Sequence, residues 1–234
     1  MPSSYEVTYF DAAGRAEPIR VMLHAAGVDF KDNRFKGPEW PAVKPTTPLG
    51  AVPTLTIDDV TYCQSLVSQK SFRCKLFLWQ NTFTDRVNPS GQALARYAAK
   101  MAGFYPVDPL EALVVDEAMD TCNDLFSSCP MDKDDEEKKK KRKEWQEGPL
   151  TKHLMLIESR IQAAGGTGVV KSPSVADLIV RGVVQGIKSG FFDYIDTNIV
   201  DNYPGIVYVQ KNRWFLSLPL VAEFRFVLFW QSYM

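Results

Sequence analysis

Histidine and cysteine are the residues from which metal sites and nucleophilic centres are most often built. This chain has two histidines and four cysteines. Cys63, Cys74, Cys122 and Cys129 show no paired spacing, and His24 and His153 lie far apart. A zinc site needs ligands grouped at short intervals, so none is expected. A disulfide framework is not indicated in a chain this long. A Ser-His-Asp or Cys-His centre would rest on one of the two histidines. His24 falls inside an amphipathic helical pattern, where a packed or surface histidine is the simpler reading. The run DKDDEEKKKKRK could suggest a site for an anion. Acidic residues precede the lysines, however, and a solvated loop or helix end is expected there instead.

The chain has 234 residues, of which 45% are hydrophobic and 24% charged. That is ordinary globular composition, enough for one large or two small domains. A net charge of −1 gives no reason to expect nucleic acid or an anionic membrane as a partner. No apolar run reaches the length of a membrane span. The first residues, MPSSYEVTYF, lack the pattern of an export signal. A soluble, cytoplasmic protein is expected.

The elements that must position any site fall into two groups. YEVTYF alternates and is β-rich, so it reads as a strand. RAEPIRVMLHAAG reads as a helix, with Pro18 in its first turn, Ile19, Met22, Leu23 and Ala26 on one face, and Gly27 at its end. VDFKDNRF is a second strand. VPTLTI and VTYC are two more, joined by a tight Asp-Asp turn. This β-α-β order, then a hairpin, then a helix, is a thioredoxin-like plan. From about Tyr105 the signals are helical only. Leu110, Leu113, Val114, Met119 and Leu125 lie near helical spacing, and a charged and then an amphipathic helix follow, stopped at Gly165 and Gly166. Ser174 to Asp177 fits a capping box, and the apolar LIVRGVVQGI after it should be a buried helix.

Three stretches, VTYFDAAGRAEPIR, EWPAVKPTTPLGAVPTLTIDDVTYCQSL and SVADL followed by NYPGI, resemble the sigma-class glutathione transferases and their close relatives. The resemblance covers most of residues 5–66 and 93–206, is absent from 67–92, and is poor after Gly205. It implies an α/β thioredoxin-like N-terminal domain, residues 1–102, and an all-α C-terminal domain, residues 103–234. It also implies a transferase that uses glutathione as co-substrate, without a metal.

The chemistry implied is to bind glutathione and hold its sulfur as a thiolate. A free thiol has a pKa of about 8.5, so only a small fraction is nucleophilic at neutral pH. A hydroxyl that donates to the sulfur favours the anion. A shift of about two pKa units corresponds to about 2.7 kcal/mol. By resemblance Tyr9 is that catalytic donor, and Arg15 supports the site electrostatically. Val52-Pro53 matches a cis-proline turn whose backbone pairs with the ligand's cysteinyl group, like an added strand. Trp40 and Lys44 match contacts to the glycyl end, with Lys44 facing its carboxylate. Gln64 and Ser65 match the clamp on the γ-glutamyl end, where a helix start offers free amides. Asp124 matches a residue that reaches the partner subunit's glutathione, which implies a homodimer. Ala51 departs from the Lys or Gln common at its position, removing one polar contact.

Residues 67–92 interrupt this pattern. Without them the chain reads TYCQSLALARYAAKMAG, a continuous helix start. Insertions normally fall in surface loops, not within the first turn of a helix. Val67 is encoded by codons that begin GT, and Gln92 can be encoded by CAG, which match intron boundaries. The stretch is thus either a retained intron or a genuine insertion. The apolar tail FRFVLFWQSYM is of unassigned origin. The resemblance leaves three functions open: conjugation to small electrophiles in detoxification, glutathione-dependent isomerisation of the prostaglandin D synthase kind, or a non-enzymatic crystallin-like role.

If the stretch is translated, closing a loop of this length costs about 3 kcal/mol, and its Phe, Leu and Trp residues have no reserved place in the core. Deleting residues 67–92 is expected to raise both solubility and glutathione-conjugation activity. Equal rates for the two chains would contradict this.

Overall fold

A computed structural model of the chain describes residues 2–63 and 91–212. Gln64, Ser65, residues 67–90 of the interrupting stretch and the apolar tail lie outside the described residues. The chain divides into two compact units, Met1–Arg20 with Val28–Ala95 and Val21–Gly27 with Arg96–Met234.

The first unit is built on four strands: β1 (Tyr5–Phe10), β2 (Lys31–Phe35), β3 (Thr54–Ile57) and β4 (Val60–Cys63). Their order in the sheet is β2-β1-β3-β4. β1 pairs with β2 in parallel and with β3 antiparallel, and β3 and β4 form a hairpin. A parallel pair needs a crossover, and α1 (Glu17–Ala25) supplies it between β1 and β2. Ile19, Met22 and Leu23 on α1 are fully buried, and Gly27 ends the helix in the left-handed region at φ 67°. In the hairpin turn Asp58 has φ 51°, and its carboxylate accepts from the Ser3 and Ser4 N–H groups at 2.8 and 3.0 Å. Alternation divides the sheet into two faces. Val7 and Leu55 lie on one and are buried, while Glu6, Thr8, Thr54 and Thr56 lie on the other. A short helix, α2 (Trp40–Val43), precedes β3, and α3 (Gln92–Ala102) follows the sheet.

The second unit is helical: α4 (Pro109–Ser128), α5 (Asp135–Trp145), α6 (Thr151–Ala163), α7 (Val175–Lys188) and α8 (Pro204–Lys211). α4 is the helix its apolar spacing predicts, though not every residue of that stripe is buried. Leu110 and Leu113 are 69% and 62% exposed, and the buried face is Val115, Ala118, Met119, Cys122 and Leu125. α4 packs against α6 and α7. The charged run forms α5, the charged helix expected from the sequence. Asp134 caps that helix by accepting from the Glu137 N–H at 2.9 Å. Acids in the first turn and bases in the last suit the helix dipole. Arg142 turns inward, 3% exposed, and donates to the Pro130 and Asp193 carbonyls at 3.0 and 2.8 Å. On α3 and α4, Arg96 joins the helices through Asp116 and Asp120 at 2.5 and 2.8 Å.

α7 is the buried helix expected from its composition, with Val175, Ala176, Val180, Val183, Val184 and Ile187 in the core. Its start is fixed by Asp177, which is itself buried. The carboxylate accepts from the Ser174 N–H and the Val169 N–H, each at 2.8 Å. Losing it would strand two buried amides. Asp177→Ala is therefore expected to lower stability by roughly 2–4 kcal/mol, read as a lower midpoint in denaturant unfolding with an unchanged slope.

Candidate functional site

Tyr9 and Arg15 lie at the end of β1 and in the turn that follows it. Tyr9 is the penultimate residue of β1 and half-buried. Its hydroxyl oxygen accepts from the Arg15 backbone N–H at 3.4 Å. The chain reaches that position through Gly14, which has φ 47°. A Cβ there would lie 2.9 Å from both Tyr9 Cε1 and Tyr9 Oη. Only glycine allows both the left-handed backbone and this approach to the phenol. The Arg15 side chain is partly buried. Burial lowers its pKa from the ordinary arginine value, and the neighbouring Tyr9 opposes that shift.

Across the sheet, the β1–β3 register pairs Thr8 with Thr54. Continued by one step, it sets Pro53 opposite Tyr9. The Val52–Pro53 peptide bond is cis. Among the described residues, neither the Val52 N–H nor its C=O has a hydrogen-bond partner. Gly91, just before α3, packs into the same corner. Its φ is 71°, and a Cβ on it would lie 2.7 Å from Pro53 Cγ and 3.3 Å from the Arg15 carbonyl oxygen.

Trp40 opens α2 and stacks on Phe35, with ring centroids 5.7 Å apart and planes 12° apart. Phe10 completes the cluster, 5.6 Å from Trp40 and 4.6 Å from Phe35. Trp40 thereby ties α2 to the ends of β1 and β2. Lys44 is exposed and begins a short turn. The Lys44 carbonyl accepts from the Thr47 hydroxyl at 2.9 Å, and that hydroxyl accepts from the Ala51 N–H at 2.9 Å. The loop carrying Lys44 to Val52 is thus closed on itself. Gln64 and Ser65 lie outside the described residues. Asp124 lies on α4 in the helical unit, exposed and without a hydrogen-bonding or ionic partner among the described residues.

Sequence reasoning missed Gly14 and Arg20. Gly14 had a signal, a lone glycine between strand and helix. Arg20 had only its place three residues after Glu17 on a helix. Buried at 2% exposure, it contacts the same turn, with its guanidinium carbon 5.9 Å from the Tyr9 ring centroid. Among the described residues, no group of three or more His, Cys, Asp or Glu is placed to hold a metal ion. None of the described helices is long and apolar enough to cross a membrane.

Comparison with known proteins gives a consistent picture. The family model "Glutathione S-transferase, N-terminal domain" matches residues 5–70, and "Glutathione S-transferase, C-terminal domain" matches residues 119–224. Hematopoietic prostaglandin D synthase of Gallus gallus is 34% identical over 130 residues, 56% of this chain and 52% of that protein. The chain thus matches about half the length of that relative. Glutathione S-transferase 1 of Ascaris suum is 29% identical over 204 residues, 83% of this chain and 85% of that protein. The solved structure of prostaglandin synthase D of Nilaparvata lugens superposes with a TM-score of 0.71 at 27% identity, covering 94% of this chain and 95% of that one.

The Gly14 geometry yields a direct test. Gly14→Ala is expected to cost about 1–3 kcal/mol of stability through backbone strain and contact with the phenol. It should also weaken any function of Tyr9 by more than the loss of folded protein explains. Thermal unfolding and glutathione binding on the same samples separate the two effects.

Proposed function

The chain belongs to the glutathione S-transferase family, and from that membership we infer that it conjugates the thiolate of glutathione to small electrophilic molecules. The observation that carries the reading is the contact between the Arg15 N–H and the Tyr9 hydroxyl oxygen. An N–H donated to a phenol oxygen draws electron density from it, so the phenol O–H becomes a better donor. Donated to the glutathione sulfur, that O–H favours the anion over the thiol. The partly buried Arg15 guanidinium adds positive charge nearby. The Val52 N–H and C=O, unpaired among the described residues, offer the two hydrogen bonds of an added strand to the ligand backbone. Trp40 and Lys44 take the glycyl end in this reading, and Gln64 and Ser65 the γ-glutamyl end. The thiolate attacks the electrophile, a carbon–sulfur bond forms, and the leaving group departs or a proton is taken up. None of these steps requires a metal.

The match to prostaglandin D synthases favours a second reading, glutathione-dependent isomerisation. Both reactions start from the same thiolate, and the electrophile decides between them. A homodimer is part of the proposal. The exposed apolar side chains Leu49, Val60 and Tyr62 of the first unit support it, as does Asp124, which has no partner among the described residues. A cytoplasmic location and a role in detoxification go with it, which subcellular fractionation checks.

The full chain is expected to be retained on immobilised glutathione and to conjugate a standard aromatic electrophile. Tyr9→Phe should be retained equally well yet react about 100-fold more slowly near neutral pH, the factor equivalent to about two pKa units. An unchanged rate for Tyr9→Phe removes the catalytic role. Failure of the full chain to bind glutathione favours the non-enzymatic relative. Sedimentation velocity of the same samples should give a dimer, and a monomer at micromolar concentration contradicts that part.

A further inference from the structure

Arg20 is an unusual residue to bury, because a guanidinium carries five donors and a full charge. Its environment uses most of them. Nε donates to Asp32 Oδ1 on β2 at 2.9 Å, and Nη1 donates to the Ala12 and Ala13 carbonyls at 2.9 and 3.3 Å. Nη1 also lies 3.6 Å from Glu17 Oε2. Nη2 is buried without a hydrogen-bond partner among the described residues. The guanidinium also lies within cation–π reach of the Tyr9 ring. Asp32 is held in turn by Arg34, whose Nε donates to Oδ2 at 2.7 Å and whose Nη1 reaches Asp11 at 3.4 Å. One carboxylate on β2 therefore holds two arginines, and both grip the turn Asp11–Ala13. Burial lowers the Arg20 pKa, while Asp32 and Glu17 oppose the shift.

The consequence lies two residues further along. The Ala13 carbonyl gripped by Arg20 belongs to the peptide that leads into Gly14. After Gly14 comes the N–H of Arg15, which donates to the Tyr9 hydroxyl. Rotation of the Ala13–Gly14 peptide would swing that N–H away from the phenol oxygen. Gly14, with no side chain and φ 47°, offers little resistance of its own. We propose that Arg20 is a positioning residue: by holding the Ala12 and Ala13 carbonyls it keeps the Arg15 N–H on the Tyr9 oxygen, and so sets how well Tyr9 stabilises the glutathione thiolate. This rests on the Tyr9 reading above. Lysine cannot substitute fully, because one ammonium cannot serve Asp32 and two carbonyls as a planar fork does.

The test compares the full wild-type chain with Arg20→Met and Arg20→Lys. The readouts are the pH profile of kcat/KM for conjugation, the KM for glutathione, and the ultraviolet absorbance of the bound thiolate. The titratable and charged groups around the turn are Asp11, Arg15, Glu17, Asp32, Arg34 and Tyr9, and all are kept. Arg20→Met should raise the apparent pKa of the profile and of the thiolate signal by about one unit. The rate below the pKa then falls about tenfold, with the alkaline plateau and KM changed less than threefold. Arg20→Lys should lie between Met and wild type. A variant whose profile keeps the wild-type pKa, with a plateau lowered in proportion to folded protein, shows Arg20 to be structural only and overturns the proposal. Should Arg20→Met not fold, Arg20→Lys decides alone, and an unshifted pKa overturns the proposal. A wild type that shows neither thiolate absorbance nor a titrating rate overturns the Tyr9 reading, and this proposal with it.

Discussion

Everything at the candidate site depends on how closely the backbone passes under the Tyr9 phenol. Gly14 is the only residue type that fits there, because a Cβ would come within 2.9 Å of the ring and the hydroxyl. That close passage places the Arg15 N–H against the phenol oxygen. It also sets where α1 begins, since a short 3-10 turn, Gly14–Ala16, runs straight into Glu17. The parallel pairing of β1 and β2 then follows from the crossover that α1 makes. A turn is a weak place from which to fix a phenol to within tenths of an ångström. The Arg20–Asp32–Arg34 cluster, with Arg20 buried, compensates by tying the turn to α1 and to β2 together.

The other side of the site is held by different means. α2 lies beside a face of the sheet that carries Glu6, Thr8, Asn33, Thr54, Thr56 and Thr61, which border a cavity of about 310 Å³. Hydroxyls there are engaged with one another, as between Thr56 and Thr61 at 3.0 Å, and little apolar area is gained by covering them. What holds α2 is its first residue. Trp40 stacks against Phe35 and Phe10, so one aromatic cluster fixes the helix that also presents Lys44. A side chain proposed to contact the ligand is thus also the anchor of its own element. Substituting it disturbs both roles at once.

How much of this the sequence carried varies with the kind of information. Strand alternation, the Asp-Asp hairpin turn and the Gly27 helix end were legible because each is local. Tyr9 and Arg15 were legible through a resemblance, not through any property of a tyrosine on a strand. Arg20 was not, because its meaning comes from Asp32 across a crossover and from two carbonyls that carry no sequence signal. On α4 the helical spacing was legible, but not which of its apolar residues are buried: Leu110 and Leu113 are exposed. The charged helix α5 was legible too, but the burial of Arg142 within it was not. The composition of α5 favours solvent, and its sign order, acids first and bases last, suits a helix.

The interruption at residues 67–92 meets the site at one described corner. α3 begins at Gln92, and Gly91 just before it lies against Pro53 and the Arg15 carbonyl. These are the last two residues of the interrupting stretch. In a chain without it, Ser65 and Leu66 would stand directly before Ala93 in their place. The two pairs differ in what they can do. Gly91 brings no hydroxyl to a ligand carboxylate, and its φ of 71° suits glycine far better than serine. Gln92 is 5% exposed, so a polar amide occupies a buried position that leucine would fill without hydrogen-bonding demands. A serine at the Gly91 position would have to move Pro53 Cγ or the helix start by several tenths of an ångström, since its Cβ would otherwise lie 2.7 Å away. The interrupted and uninterrupted chains therefore cannot share one geometry at this corner. In the proposed glutathione-binding role, affinity for the γ-glutamyl end is the property in which the two chains should differ most.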